Sequence, residues 1–515
     1  MYSSIKSGTV YGLKSFLIDV EIDISNGLPC FVMVGSLNSE VRESAERVRV
    51  ALKNMGMNIP PSHITVNLSP ADIRKTGTGF DMAIALGLLE IMNIIPQSSL
   101  RDTLVIGEIG LNGEVKRVSG VMPIVYEAKK NGYTTCLIPI ENAMEASLVE
   151  GIRIIGVSDL KMVKELLNGN MDVLAEASEE NSNDPLNKAV DITRREEKIP
   201  DFSDVSGQES VIRGALIAAS GNHHMLMIGP PGTGKTMIAK RIPGILPELS
   251  DDEKLEVTRI YSIAGKLNIE HPMIKNRPFV DPHHSATVSA LSGGGGIPRP
   301  GALSLAHKGV LFLDELPEFD RNVIDMLREP LEEKCINISR ASGNFVYPAD
   351  IMLVAAMNPC PCGYYPDHNK CNCSPGAVRR YMGHISGPVL ERIDICVAVR
   401  KIRVKDLENK NKGISSSKLR EKVLRARKIQ EERYKGLNIT CNSELGVVDL
   451  RKFCALGKAE SKLAEDICEN LDLSARSYHR MLKVARTIAD LDESEDIKER
   501  HLTEALCYRP QVAGL

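Results

Sequence analysis

Residues 229–236 read Gly-Pro-Pro-Gly-Thr-Gly-Lys-Thr, a complete G-x4-G-K-[ST] pattern. That spacing suits phosphate chemistry. The glycines let backbone N–H groups close around phosphate oxygens, Lys235 reaches the β- and γ-phosphates, and the Thr236 hydroxyl holds Mg²⁺. Gly229, Pro230, Pro231, Gly232, Thr233, Gly234, Lys235 and Thr236 are therefore expected to contact ATP. The apolar run Met225, Leu226, Met227, Ile228 reads as a strand before them, and Met-Ile-Ala-Lys-Arg-Ile reads as a helix after them. A plain glycine-rich turn would lack both flanks.

Two further apolar runs end in polar groups suited to the same ligand. Val310, Leu311, Phe312 and Leu313 deliver Asp314 and Glu315. Asp314 would orient Mg²⁺ and Glu315 would polarise the attacking water, since phosphoryl transfer depends on positioning and charge stabilisation. The run 351–357 ends at Asn358, whose amide can bond a γ-phosphate or the water, although an ordinary turn also accepts Asn there. Three strands carrying such groups at their ends describe an α/β sheet with its ligand at the carboxyl edge.

Just beyond Asn358, Cys360, Cys362, Cys371 and Cys373 form C-x-C-x8-C-x-C. Four thiols this close can supply a tetrahedral sulfur shell for structural Zn²⁺, and they can equally be free thiols in a loop. The other eight of the twelve cysteines are scattered, which fits reduced thiols in a cytosol.

The elements that position these groups fall into three segments. With 515 residues the chain exceeds what one hydrophobic core organises. A polar, acidic stretch at 168–200 and a second at 404–418 read as linkers. They leave residues 1–167 as an α+β unit with a helix-like run at 81–90, residues 201–403 as a P-loop α/β core, and residues 419–515 as an all-α segment. Ser474 is expected to cap a helix bearing Met481, Leu482, Ala485, Ile488 and Ala489. The basic run Lys418, Arg420, Lys422, Arg425, Arg427 and Lys428 reads as a solvated helix face or as a nucleic-acid or subunit face. The composition, 43% hydrophobic and 25% charged, is that of a soluble globular protein. No apolar run is long enough to span a bilayer and no signal peptide is evident, so a cytoplasmic protein without membrane partners is expected. A net charge of −3 gives no global sign of polyanion binding.

Taken together, Asp-Val-Ser-Gly-Gln at 204–208, the P-loop, Gly-Val-Leu-Phe-Leu-Asp-Glu-Leu-Pro-Glu-Phe at 309–319, Ala-Ala-Met-Asn-Pro-Cys-Pro-Cys-Gly at 355–363 and Ser-Gly-Pro-Val-Leu-Glu-Arg-Ile-Asp at 386–394 resemble the magnesium-chelatase-like AAA+ ATPases of the YifB/ComM family. The resemblance implies a homo-oligomeric ring, usually a hexamer, with ATP between subunits. It implies that Arg392 is an arginine finger reaching the neighbour's γ-phosphate and that Arg476 is the sensor-2 arginine. Without the resemblance, either reads as an ordinary surface cation.

The stretch from Asp281 to Pro300 resembles the helix-2 insert of the clade that includes MCM helicases and the magnesium-chelatase motor subunit, and its glycines imply a mobile loop. His283 and His284 within it read as turn or core residues. Residues 335–340 resemble the pore hairpin of that clade, which makes Arg340, Lys334 and Arg299 candidate contacts to DNA phosphates. Residues 75–81 and 107–115 resemble the proteolytic domain of Lon. Gly79 stands where Lon has its serine and Met122 where it has its lysine, so a Lon-like fold without peptidase chemistry is expected.

The resemblance favours a DNA-translocating helicase or branch-migration motor acting in natural transformation or recombination. A chelatase-type motor that remodels a protein partner for metal insertion is the alternative, and an ATP-dependent protease is disfavoured.

Overall fold

The computed structural model describes residues 2–97, 99–169, 199–295, 297–341, 343–367, 369–401 and 413–509. The chain is mixed α/β, with parallel sheet in its centre and helices toward its C-terminus. Most of the two stretches read as linkers, 170–198 and 404–412, lies outside the described residues.

The N-terminal part is built on a mixed seven-stranded sheet. Long strands Tyr2–Tyr11 and Lys14–Ser25 pair antiparallel, and Lys14–Ser25 pairs again with His63–Ser69. Thr103–Val105, Thr135–Pro139 and Arg153–Val157 continue the sheet in parallel. Helix Asp81–Ile91 packs on it with every residue buried, as its unbroken apolar character requires. Asp81 begins that helix and is held by Arg47, whose Nε donates to its carboxylate at 2.7 Å.

In the P-loop core, five parallel strands lie in the order Phe279–Val280, Val310–Leu313, Met352–Met357, Met225–Ile228, Ile395–Ala398. All four residues of Val310–Leu313 and all six of Met352–Met357 are buried, because helices cover both faces of a parallel sheet. Removing each such Val, Leu or Phe from water contributes about 1.5–3 kcal/mol. The P-loop strand Met225–Ile228 sits between Met352–Met357 and Ile395–Ala398, so its carboxyl end opens where the strand order changes direction.

Helix Glu209–Gly221 joins the core to the C-terminal helices. Ile217 and Ala218 share one apolar cluster with Val423 of helix Ser416–Arg433 and with Leu482, Ala485 and Ile488 of helix Ala475–Leu491. Ser474 caps the latter helix, accepting from the Ser477 N–H at 3.2 Å. Helix Ser416–Arg433 starts inside the stretch read as a linker, because Ser416 is engaged: its hydroxyl accepts from the Phe202 N–H at 2.8 Å. The basic run on this helix is partly spent on docking, with Arg420 donating to Gly244 O and Arg427 to Ala219 O.

The N-terminal part rests on helix Asp251–Ile263, which begins in a reciprocal Ser250–Glu253 capping box. Ser262 of that helix bonds Glu145, and the Gly120 N–H donates to Ser262 O at 3.0 Å. Among the described residues, no helix is long and apolar enough to cross a membrane.

Candidate active site

The P-loop leaves its strand through Gly229, whose N–H donates to Met357 O on the adjacent strand. A Cβ there would meet Val399 O at 2.3 Å, so only glycine fits. Gly232 and Gly234 have φ of +73° and +85°, the left-handed region that turns the loop back on itself. Thr233 steadies the turn by donating to Pro230 O at 2.9 Å.

Lys235 is buried, and its ammonium donates to Gly229 O (2.7 Å), Pro230 O (3.0 Å) and Asn358 Oδ1 (3.2 Å). Burial lowers its pKa, against the opposing pull of Asp314 and Glu315. Thr236 Oγ1 donates to Asp314 Oδ2 at 2.6 Å, so the hydroxyl and carboxylate expected to hold Mg²⁺ converge on one point. Paired hard oxygens of this kind fit Mg²⁺. The cavity they line, about 450 Å³, is bounded by residues of 231–237, Asp314, Glu315, Met357 and Asn358. That volume suits a nucleotide-sized ligand.

Glu315 has φ +51°, a left-handed setting uncommon for a residue with a Cβ, and it lines the cavity. Its N–H donates to Asp314 Oδ1 at 2.9 Å. Two neighbours of this pair went unassigned in the sequence. His284, read there as a turn or core residue, places Nδ1 at 3.6 Å from Glu315 Oε2. Asp281 follows the strand beside Asp314, and burial, then the Asp314 charge, raise its carboxyl above the usual range. Both arrive from the segment following Phe279–Val280, whose loop character hid their direction.

Neither arginine lines this cavity. Arg392 and Arg476 both pair with Glu332, and Arg476 also donates to Glu391 Oε2 at 2.9 Å. Arg392 is largely covered, and its Nε lacks a hydrogen-bond partner.

The pore-like stretch forms an antiparallel hairpin, Cys335–Arg340 with Gly343–Pro348. Arg340 is exposed at its tip, has no acidic partner among the described residues, and bonds Ser339 O at 3.1 Å. Lys334 is different. It ends helix Arg328–Glu333 with φ +55° and is committed to Glu444 and to Asp350 Oδ1 (3.2 Å), pinning the C-terminal helices to the core. Arg299 lies apart from the hairpin tip, in the ribbon of Gly293–Gly294 and Arg299–Pro300 that occupies the segment expected to be a mobile loop.

Arg299 lines a second cleft, about 470 Å³, between the N-terminal part and the P-loop core. Among the described residues this cleft is lined by Thr9, Thr76, Thr78, Gly79, Ser119 and Gly120 with others, and by no lysine or histidine, while the Thr78 hydroxyl donates to the Glu108 carboxylate. Lys75 nearby is fully buried and donates to Pro70 O, while Met122 is buried and apolar. The four clustered cysteines lie within 4.8 Å of one another through their sulfurs.

Comparison with known proteins adds identity to this geometry. Residues 201–407 match the family described as magnesium chelatase, subunit ChlI, residues 20–142 the family described as subunit ChlI of Mg-chelatase, and residues 413–509 the corresponding C-terminal family. Competence protein ComM of Haemophilus influenzae is 42% identical over 504 residues, covering 97% of this chain and 96% of its own. YifB of Escherichia coli K12 is 39% identical over 510 residues, covering 98% and 97%. Lon protease 2 of Bacillus subtilis is a partial likeness, 31% identical over 30% of the chain. With its P-loop, paired acidic strand end and near full-length likeness to ComM and YifB, the chain belongs to the magnesium-chelatase-like AAA+ ATPase family.

Proposed function

We propose that this protein is an ATP-hydrolysing subunit of a homo-oligomeric ring, a hexamer, that translocates on single-stranded or branched DNA in the cytoplasm. It would serve as a helicase or branch-migration motor in natural transformation or recombination. The observation that carries the ring is the placement of the arginines: the cavity holding Lys235, Asp314, Glu315 and Asn358 contains no arginine, while Arg392 and Arg476 gather on Glu332. A guanidinium is the group phosphoryl transfer uses to stabilise transition-state charge, so a site lacking one is completed by a neighbour.

Within the site, Lys235 would bind the β- and γ-phosphates, Thr236 and Asp314 would hold Mg²⁺, Glu315 would orient the water and Asn358 would bond the γ-phosphate. Mg²⁺ supplies charge neutralisation when bound. DNA as the track is supported by the exposed Arg340 at a hairpin tip and by the name of the competence relative. The N-terminal part is best read as a Lon-like fold without peptidase chemistry, because Gly79 and Met122, at the positions of the Lon serine and lysine, offer neither a nucleophile nor a base.

A chelatase-type motor is the second reading, favoured by the three chelatase family matches. ATPase assays with single-stranded, duplex and forked DNA, and with a porphyrin in parallel, separate the two. Stimulation by DNA alone supports the translocase, and stimulation by porphyrin alone supports the chelatase motor.

A further inference from the structure

Four thiols meet directly behind the side chain that touches Lys235. Strand Met352–Met357 ends at Asn358, and Cys360, Cys362, Cys371 and Cys373 follow before helix Pro375–Met382. Cys360 Sγ lies 3.3 Å from Cys362 Sγ and 3.7 Å from Cys371 Sγ, and Cys362 Sγ lies 3.6 Å from Cys371 Sγ. Zn–S bonds of about 2.3 Å put the sulfurs of a tetrahedral shell about 3.8 Å apart. These three separations are close to that spacing, and all four sulfurs, Cys373 included, lie within 4.8 Å of one another.

The loop is built to hold that shape. Cys360 is fully buried, and the other three thiols pack with Tyr365 and Tyr381 against the core of the ATPase. The Gly363 N–H donates to Cys360 O (2.9 Å), the Tyr365 N–H to Cys360 Sγ (3.4 Å) and the Cys371 N–H to Asp367 O (2.8 Å). Backbone donors aimed at a sulfur stabilise its thiolate. No strand or helix is assigned among the described residues of 358–374, and so long an irregular connection needs another source of order.

We propose that Cys360, Cys362, Cys371 and Cys373 bind one structural zinc ion, and that this ion fixes Asn358 and a wall of the P-loop. Four protein ligands leave no open position, so the metal acts on shape and not on substrate. The loop reaches the nucleotide cavity twice. Asn358, two residues before Cys360, accepts from Lys235. Gly363, at φ +85°, lies so close to the P-loop that a Cβ would fall 2.5 Å from Pro231 Cδ. Releasing the metal would free both walls at once, since the thiols join the segment after Asn358 to the segment before helix Pro375–Met382. Metal binding stands independently of the proposed function; only the coupling to catalysis rests on it.

Metal analysis of the full chain, purified without chelator, tests the site. About one zinc per chain is expected, and exchange into cobalt(II) is expected to give the intense visible bands of a tetrahedral thiolate complex. A chain that contains no zinc and takes up neither zinc nor cobalt overturns the proposal, as does one that holds iron instead. For the coupling, Cys371→Ser with Cys373→Ser is compared with metal-stripped parent protein, Mg²⁺ being restored to both. Binding of a fluorescent ATP analogue and phosphate release are measured, and circular dichroism reports folding. Turnover is expected to fall about 10²-fold, the cost of misplacing a reacting group by about an ångström, and to return when zinc is added to the stripped parent. Full turnover by a stripped, folded chain overturns the coupling and leaves the metal site intact. ATPase activity absent from the zinc-loaded parent would instead count against the proposed function.

Discussion

Thr236 donates its hydroxyl proton to Asp314 across 2.6 Å, joining the last residue of the P-loop to the end of a strand 78 residues later. The bond shows that the two oxygens expected to share Mg²⁺ already point at one another. Asp314 holds this aim because its other oxygen accepts the Glu315 N–H. Glu315 lines the cavity beside them, with His284 Nδ1 3.6 Å from its Oε2.

Lys235→Ala is expected to abolish binding of a fluorescent ATP analogue, since it removes the buried cation proposed to bind the phosphates. Glu315→Gln should bind the analogue normally while phosphate release falls about 10²–10⁴-fold, the usual contribution of a positioned base. Near-normal turnover by Glu315→Gln would remove Glu315 from that role.

Arg392→Ala should lower turnover about 10³-fold with nucleotide binding retained, as expected of a charge supplied in trans. Chains carrying Arg392→Ala mixed with chains carrying Lys235→Ala should recover part of the activity, because some interfaces regain both groups. No recovery in rings shown to be mixed would contradict action across subunits. Glu332 must release Arg392 for this reach, so Glu332→Gln should change the protein concentration at which ATPase activity appears.

Acid should destabilise the ATPase core through His224. Its Nδ1 accepts the Leu353 N–H at 3.1 Å, and burial pushes its pKa down from 6.5 to about 4, with His223 adding to the shift and Asp394 opposing it. The unfolded chain therefore binds this proton more readily than the folded one. Stability is full above about pH 6.5 and declines by up to about 3 kcal/mol as pH falls toward about 4. Thermal melting from pH 7.5 to 5 should show the decline, and His224→Asn, which keeps an acceptor without the titration, should flatten it. An unchanged pH slope in the variant would contradict the assignment.

Much of the candidate site's arrangement was legible because its elements are local. Each strand carries its functional group at its own end, so Lys235, Asp314, Glu315 and Asn358 could be read from apolar runs and the residues that stop them. The Ser474 cap and the Cys335–Pro348 hairpin are local in the same sense. Features made by distant pairs were not legible. Lys334 reads as a candidate phosphate contact beside a strand, yet it spends its charge on Glu444, 110 residues away. Glu332 gathers Arg392 and Arg476 from two separate segments, a convergence no periodicity encodes. The polar Ser415-Ser416-Ser417 run reads as a linker, although such serines also start helices, and here the Ser416 hydroxyl answers Phe202 across the fold.

DNA-stimulated phosphate release at low salt, measured for the parent and for Arg340→Ala, tests the central claim most directly. A cation at an exposed hairpin tip contacts phosphates and not base edges, so stimulation should be largely independent of sequence and should weaken steeply with salt, by roughly one unit of log–log slope per phosphate neutralised. The account predicts that forked DNA stimulates the parent, that Arg340→Ala loses stimulation and strand displacement together, and that its basal hydrolysis stays near normal. A parent whose hydrolysis ignores DNA, or an Arg340→Ala chain that responds to DNA and unwinds it like the parent, would contradict it.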